Sequence, residues 1–301
     1  LPRPRHPLRR FRRRPHPPPN RGFHLGPAAG HRLLFSDDVR KRTAAALRER
    51  QALLALGDDY TSPQLKRDKL EKADELLDTV RFIGDAAIAA FFSADKDKAR
   101  EHKRLELAAR ISDYLAKGNI HQRPTAEVTA LRSGRFPVDP FHWEIEFPEV
   151  FDRENPGFDA IVGNPPFLGG KRISTSSGNA YRDFLSAAWP HTSSNVDLCG
   201  YFHLRSYEAL CGTGCYGLIS TERILIGESK THCLDFIEQK GGTFYDVVPS
   251  MPWPGEASVI IAVLHMAKAG DQTASEQVQA PAIALRLTAN EAFSYVGCAI
   301  Q

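Results

Sequence analysis

The sequence has no run of about 18 consecutive apolar residues, the length that a membrane-spanning helix needs. It also has no apolar stretch behind its basic, proline-rich first 22 residues, which is unlike a secretory signal. The cysteines follow no disulfide spacing, which is typical of a reducing compartment; the five are Cys199, Cys211, Cys215, Cys233 and Cys298. These absences together predict a cytoplasmic protein with no membrane partner.

Paired metal-ligand spacings are also missing. Cys211 and Cys215 are separated only by Gly-Thr-Gly, and His203 and His232 lie at some distance along the chain. Zinc sites in proteins are usually built from closely spaced pairs of such residues. We therefore expect no metal site, with zinc as the alternative and small buried residues around a turn as the ordinary interpretation.

Positive charge is scarce outside the first residues. The whole chain has a formal net charge of +3, yet residues 1–22 hold eight arginines and no acid. In the rest of the chain, acidic residues outnumber basic ones by five. The overall charge therefore does not indicate nucleic-acid binding, and any affinity for DNA must come from a local patch or a missing part.

Residues 1–30 combine arginine, proline and histidine with almost no aliphatic pattern. Such a composition buries too little apolar surface to offset chain entropy, so this basic segment is predicted to be disordered. It is either a basic arm that grips phosphates or, as we expect, a stretch outside the evolved domain, from a mis-framed or truncated start.

Residues 31–120 are predicted to be a helical region, which the resemblance described below identifies with an insertion. Strong helix formers recur at helical period over 44–56, and Ser62-Pro63 begins a second helix with proline in its first turn. A third helix is predicted at about 96–117. Residues 119–140 contain several prolines and are predicted to be a loop.

From residue 141 the pattern changes to alternating strands and helices, which predicts an open, doubly wound α/β sheet within the region 121–270. Phe158–Gly163 is a short apolar run, typical of a buried parallel strand with a functional loop at its carboxyl end. The last two predicted strands are close enough to pair. The further elements are helices at 180–188, 197–210 and 228–239, and strands at 216–220, 243–248 and 258–265. Residues 271–301 are a C-terminal extension.

The chemistry lies in the tetrapeptide Asn164-Pro165-Pro166-Phe167. A ring-conjugated amino group is a poor nucleophile, and its methylation needs acceptors that engage its hydrogens. Asn164 offers a side-chain carbonyl and Pro165 a backbone carbonyl, and two prolines stiffen the loop so that both are aimed in advance. Phe167 offers a face on which a base flipped out of a duplex can stack. An ordinary turn is the alternative, but the apolar strand and the following aromatic favour catalysis.

At these residues the chain resembles the adenine-specific DNA methyltransferases that depend on S-adenosylmethionine. It looks like the large bacterial members, which are the type IIG restriction–modification enzymes and the methyltransferases of BREX and DISARM phage defence. The other segments that carry the resemblance are Phe141–Phe151, Asp197–Phe202, Gly217–Thr221, Lys240–Tyr245 and Trp253–Ala257.

The resemblance implies a partial Rossmann-like class I methyltransferase sheet, preceded by a helical insertion. It implies methyl transfer from S-adenosylmethionine to the exocyclic amino group of adenine in DNA, within restriction–modification or phage defence. The catalytic residues would be Asn164, Pro165, Pro166 and Phe167. The resemblance also places Asp197 near the cofactor, although Asp197 is equally suited to be the N-cap of the following helix.

The sequence departs from the family at the cofactor site. It lacks the Asp-Pro-x-x-Gly-x-Gly turn and the ribose-binding acid of the next strand, and the stretch Gly26–Gly30 does not have the required spacing. A target-recognition domain beyond residue 270 is missing too. We therefore expect a fragment. The alternatives are completion by a second chain, a non-catalytic remnant or subunit that binds DNA or a partner, and an enzyme that methylates a glutamine amide, which needs the same loop.

We predict that the 301-residue chain alone transfers no methyl group to DNA, because the residues that hold the methyl donor are missing from it. Incubation with methyl-labelled S-adenosylmethionine and adenine-containing DNA measures this. Label in adenine above the level of an Asn164→Ala control would contradict the prediction.

Overall fold

The structure is a computed structural model, and the residues it describes are 36–55, 63–117, 123, 125–254 and 258–268. The predictions for residues 1–30 and 271–301 and for Cys298 lie outside them. In these ranges no helix is both long and apolar enough to cross a membrane. The same ranges contain no group of three or more histidine, cysteine or acidic side chains placed to hold a metal ion.

Four helices form the first part of the structure. They are α1 (Ser36–Ala55), α2 (Pro63–Phe92), α3 (Asp97–Lys117) and α4 (Ala126–Ser133). Pro63 is the first residue of α2, as predicted, because a missing N–H has no cost in the first helical turn. The prediction for α3 is confirmed, and α1 begins eight residues before the predicted start.

The prediction of a loop over residues 119–140 is wrong where α4 lies. Val128 and Leu131, three residues apart, are buried in one cluster with Phe82 and Ile83 of α2. This helical spacing puts both side chains on the same face. The prolines on either side of α4 led to the prediction of a loop. The short amphipathic helix forms because packing against its neighbours stabilises it.

A buried carboxylate joins the helices to the chain that precedes the sheet. Asp85 of α2 is only 4% exposed. Arg132 of α4 donates to one of its oxygens at 2.9 Å, and His142 Nε2 lies 2.9 Å from the other. Buried carboxylates are tolerated when they are paired in this way. Asp85 thus fixes α4 and residue 142 relative to α2.

The second part of the structure is a four-stranded mixed sheet in the order β1-β2-β4-β3. Its strands are β1 (Phe158–Gly163), β2 (Leu210–Thr221), β3 (Gly242–Pro252) and β4 (Ile260–Lys268). β1 and β2 are parallel, with Gly163 opposite Leu218. β4 is antiparallel to both β2 and β3, which confirms the predicted pairing of the last two strands.

Short helices connect and cover these strands. They are α5 (Trp143–Glu146), α6 (Pro148–Phe151), α7 (Gly170–Ser177), α8 (Asn179–Ala188), α9 (Leu198–Ala209), α10 (Gly227–Ser229) and α11 (Asp235–Gln239). A 3-10 turn at Glu222–Leu225 precedes α10, and a π-helical turn at Lys230–Leu234 joins α10 to α11. The predicted helix at 228–239 is therefore present but irregular, and α7 was not predicted.

The main core lies on one face of the sheet. Helix α9 contributes Tyr201 and Leu204, which pack with Tyr216 and Leu218 of β2 and with Met266 of β4. The sheet and the helices that cover it confirm the predicted α/β architecture, in which a partial sheet follows a helical region along the chain.

The prediction of a buried strand at 158–163 is confirmed for direction and wrong for burial. β1 is parallel to β2, but Asp159 and Ala160 are exposed and Val162 is 75% exposed. β1 is an edge strand of the sheet in the described ranges. Val162 is paired with Gly217 and Ile161 with Tyr216, so Val162 points to the face opposite the main core.

His203 of α9 lies in the middle of this core. Its Nδ1 is 2.8 Å from the Tyr216 hydroxyl and its Nε2 is 2.9 Å from the Ser220 hydroxyl, so both ring nitrogens are satisfied. Complete burial lowers the pKa of His203 to about 3, because the charged ring would lose its hydration. The imidazole is therefore neutral at physiological pH and joins α9 to β2.

We predict that the free energy of unfolding falls as the pH is lowered from about 6.5 towards 3, because the unfolded chain protonates this histidine and the folded one does not. The contribution of His203 is about 1.4 kcal/mol per pH unit. Chemical denaturation at several pH values measures it, with His203→Gln as the control that lacks the titrating ring. Equal pH slopes for the two proteins would contradict the prediction.

Candidate functional site

Strand β1 is anchored at its start by a cluster of aromatic rings. The Phe158 ring meets those of Trp143, Phe147 and Phe151 edge-on, with centroid distances of 5.3, 5.4 and 5.3 Å. Aromatic pairs favour this geometry. The segment upstream of the strand, which includes α5 and α6, therefore serves to seat β1.

The same segment is bonded to the helical region. Arg81 of α2 donates from Nε and Nη2 to the two carboxylate oxygens of Glu146, at 2.6 and 2.8 Å. This bidentate hydrogen bond to a carboxylate raises the pKa of the Arg81 guanidinium. Arg50 of α1 donates to the Glu146 carbonyl at 2.6 Å. Both α1 and α2 thus hold the segment that positions β1.

We predict that Phe158→Ala lowers the free energy of unfolding by about 3 kcal/mol, since large-to-small changes in packed clusters cost this much. The matched control on the same strand is Val162→Ala, which should cost under about 1 kcal/mol because Val162 is 75% exposed. Urea denaturation of both variants is the measurement. Similar losses would show that the Val162 face is covered in solution.

The tetrapeptide predicted to be catalytic follows β1 directly as an irregular loop at the carboxyl edge of the sheet. Pro165 is buried and Pro166 is exposed, while Asn164 and Phe167 are half-buried. The four residues thus lie at the carboxyl ends of the parallel strands, the edge at which open α/β sheets bind their ligands.

Asn164 Oδ1 is buried, and no hydrogen-bond donor of the described chain reaches it. A buried carbonyl without a donor costs about 1–3 kcal/mol. Such atoms are rare and are often found at functional sites. This oxygen can accept a hydrogen bond from the amino or amide group of a ligand.

A second unsatisfied oxygen lies at the same edge of the sheet. Thr221 Oγ1, at the end of β2, is also buried without a partner in the described ranges. Thr221 precedes the 3-10 turn at Glu222–Leu225 but makes no capping bond to it. Thr221 was not predicted from the sequence, although its position at the carboxyl end of the strand that pairs with β1 makes it a candidate site residue.

Asp197, predicted to lie near the cofactor or to cap a helix, is the N-cap of α9. Its Oδ1 accepts from the Cys199 amide at 3.1 Å and from the Leu168 amide at 3.4 Å. The Asp197 side chain is almost fully buried. A role in cofactor binding stays a prediction, and the structure shows a carboxylate turned towards the backbone.

Two cysteines near Asp197 are unsuited to nucleophilic catalysis. Burial raises the pKa of Cys233 to about 12 and raises that of Cys199 further still. A thiol is nucleophilic only as the thiolate, which burial in apolar surroundings suppresses. Both are free and buried. These two positions therefore offer no thiolate to the site.

Comparison with known proteins gives a family match over this part of the chain. The model of the family described as "Eco57I restriction-modification methylase" matches residues 89–240. This range includes the tetrapeptide loop, α9 and β2. No curated protein matches the chain.

Among solved structures, the chain is similar to the type IIL restriction-modification enzyme MmeI in complex with DNA. The similarity covers 55% of this chain and 23% of that one, at 16% sequence identity and a TM-score of 0.36. The chain thus spans less than a quarter of that enzyme. A superposition at this level supports no residue-by-residue argument.

Proposed function

Because this chain belongs to the Eco57I restriction-modification methylase family, we propose that it is the catalytic part of a DNA methyltransferase. The reaction would transfer a methyl group to the exocyclic amino group of adenine, in the cytoplasm, as part of restriction–modification or phage defence. The same loop would also suit a glutamine amide, but the family match favours DNA.

The observation that carries this proposal is the unpartnered Asn164 Oδ1. A carbonyl oxygen accepts hydrogen bonds and cannot donate them, so its ligand must present an N–H or O–H group. The amino group of adenine is such a donor. As its nitrogen forms a bond to a methyl carbon, positive charge develops on it and its remaining hydrogens become stronger donors. An acceptor fixed in advance therefore binds the transition state better than the ground state.

The other loop residues complete this role. The Pro165 carbonyl is proposed as a second acceptor for the amino group. Pro165 and Pro166 fix two successive φ angles, so the acceptors need no reorganisation during the reaction. Phe167, which is half-buried, is proposed to stack on a base that has left the duplex, since the target atom cannot be reached inside the helix.

We propose S-adenosylmethionine as the methyl donor, and it supplies an electrophilic methyl group when bound. In the described ranges, no strand is followed by a glycine-rich turn of the Asp-Pro-x-x-Gly-x-Gly kind. The residues of the site fit the amino group that is methylated and do not fit the donor. No step of the donor is therefore assigned to residues of this chain.

The exposed strand β1 favours a covering polypeptide. Val162 is 75% exposed, and Asp159 and Ala160 beside it are exposed as well. Apolar strand residues at an open sheet edge are unusual unless another segment covers them. We propose that further polypeptide, from a second chain or from the rest of a longer protein, covers this strand and supplies the cofactor-binding and target-recognition parts.

The role of Asn164 is tested by removing the acceptor from the protein and, separately, the donor amino group from the DNA. The ligand is a labelled duplex with one adenine opposite an abasic site, compared with the same duplex carrying purine, which lacks the amino group. We predict that the wild-type chain binds the adenine duplex roughly twofold to tenfold more tightly, the contribution of one neutral hydrogen bond. Asn164→Ala should abolish this preference and leave the melting temperature nearly unchanged.

Fluorescence anisotropy titrations give six dissociation constants, for the wild type, Asn164→Ala and Phe167→Ala with each of the two duplexes. Phe167→Ala is the control, because it should weaken both duplexes equally, since stacking does not require the amino group. A wild-type chain that does not distinguish adenine from purine would refute the proposed function. Unfolding of the Asn164→Ala variant would instead identify Asn164 as a turn residue.

A further inference from the structure

The carboxyl-terminal end of the tetrapeptide loop is bonded on both sides of Leu168 to the start of α9. The Leu168 amide donates to Asp197 Oδ1 at 3.4 Å. The Leu168 carbonyl accepts from the Leu198 amide at 2.9 Å. The first of these bonds is long, near the limit of a hydrogen bond. Together they fix both peptide groups that flank Leu168.

The first of these peptide groups is the bond between Phe167 and Leu168. The Phe167 carbonyl and the Leu168 N–H lie in one planar unit. A bond to that N–H therefore sets the orientation of the peptide group that leaves Phe167. Because this bond orients the peptide plane that leaves Phe167, it restricts rotation about ψ of Phe167, and the Asp197 carboxylate thereby helps to set the direction of the Phe167 side chain relative to α9.

Asp197 is itself held from a third segment. Its amide donates to the Ser229 hydroxyl of α10 at 3.0 Å, and both residues are buried. The chain just after Leu168 also packs against the chain just before Asp197. A Cβ atom added at Gly170 would lie 2.5 Å from the Asn195 carbonyl carbon. The two backbones are therefore in contact, and the carboxylate has little freedom to move.

We propose that Asp197 is a positioning residue that holds Phe167 in the orientation for base stacking. This inference rests on the proposed function, because it assigns Phe167 to a flipped base. Asp197 does not contact the base itself. One carboxylate oxygen serves two purposes, since it caps α9 through Cys199 and fixes the exit of the catalytic loop through Leu168.

Three replacements separate these two purposes. Asp197→Asn keeps a side-chain oxygen at the same reach and should keep both bonds. Asp197→Ser keeps a good N-cap, but its shorter side chain should lose the bond to the Leu168 amide. Asp197→Ala removes both. A helix cap without any positioning role predicts that the serine variant behaves as wild type.

The first measurement is amide hydrogen exchange of the 301-residue chain by NMR. In the wild type and in Asp197→Asn, the Leu168 and Cys199 amides should exchange slowly. In Asp197→Ser, the Cys199 amide should stay slow while the Leu168 amide exchanges about tenfold faster or more, as expected for local loss of one bond. Unchanged Leu168 exchange in the serine variant would overturn the proposal.

The second measurement is binding of the adenine and purine duplexes. Asp197→Ser should bind both duplexes roughly threefold to tenfold more weakly, a part of the contribution of an aromatic stacking face. The ratio between the two duplexes should not change, because Asn164 is untouched. Asp197→Asn should restore wild-type affinity. Wild-type affinity in the serine variant, or failure of asparagine to restore it, would contradict the positioning role.

A control variant accounts for a general loss of helix stability. Arg205→Gly lies in the middle of α9 and should lower the melting temperature through the low helix propensity of glycine and the loss of the ion pairs that Arg205 makes with Glu144 and Glu208. It should leave Leu168 exchange and duplex affinity unchanged. If the wild-type chain does not prefer adenine, the proposed function fails, while the exchange data still decide whether Asp197 holds the loop.

Discussion

The buried N-terminus of helix α9 is the constraint on which the site depends. The first amides of a helix have no partner within it, and burial removes the water that would otherwise satisfy them. Asp197 meets this need through the Cys199 amide, and Leu198 donates to the Leu168 carbonyl. The end of the tetrapeptide loop is therefore held by bonds that also satisfy the first turn of α9. Its geometry is set by the same bonds that let α9 pack on the sheet.

Helix α9 in turn is fixed to the sheet by a polar contact inside an apolar core. His203 bonds Tyr216 and Ser220, which lie four residues apart on β2. A buried ring with both nitrogens satisfied accepts few alternative positions, because a shift would leave a polar atom unpaired. The helix register is thus specified, and with it the position of Asp197 relative to the end of β1.

The helical region reaches the site indirectly. Arg81 bonds Glu146, and aromatic rings on both sides of Glu146 in the sequence surround Phe158, the first residue of β1. Arg50 and Arg81 of these helices bond the segment that seats β1. Their effect is to fix the start of β1, whereas α9 and its cap fix the loop at its end. The loop is therefore held from both directions while Asn164 Oδ1 is left without a partner.

The sequence by itself determined the parts whose signals are local. The tetrapeptide after an apolar strand, the proline that starts α2, and the pairing of the last two strands follow from residue type and spacing over a few positions. Only the tertiary structure decided the rest. Which surfaces pack together decides that Val162 is exposed and that α4 forms. It also decides that Thr221 Oγ1 has no hydrogen-bond partner in the described ranges. Asp197 shows the difference most clearly, because a cap and a cofactor ligand look identical in sequence and differ only in where the carboxylate points.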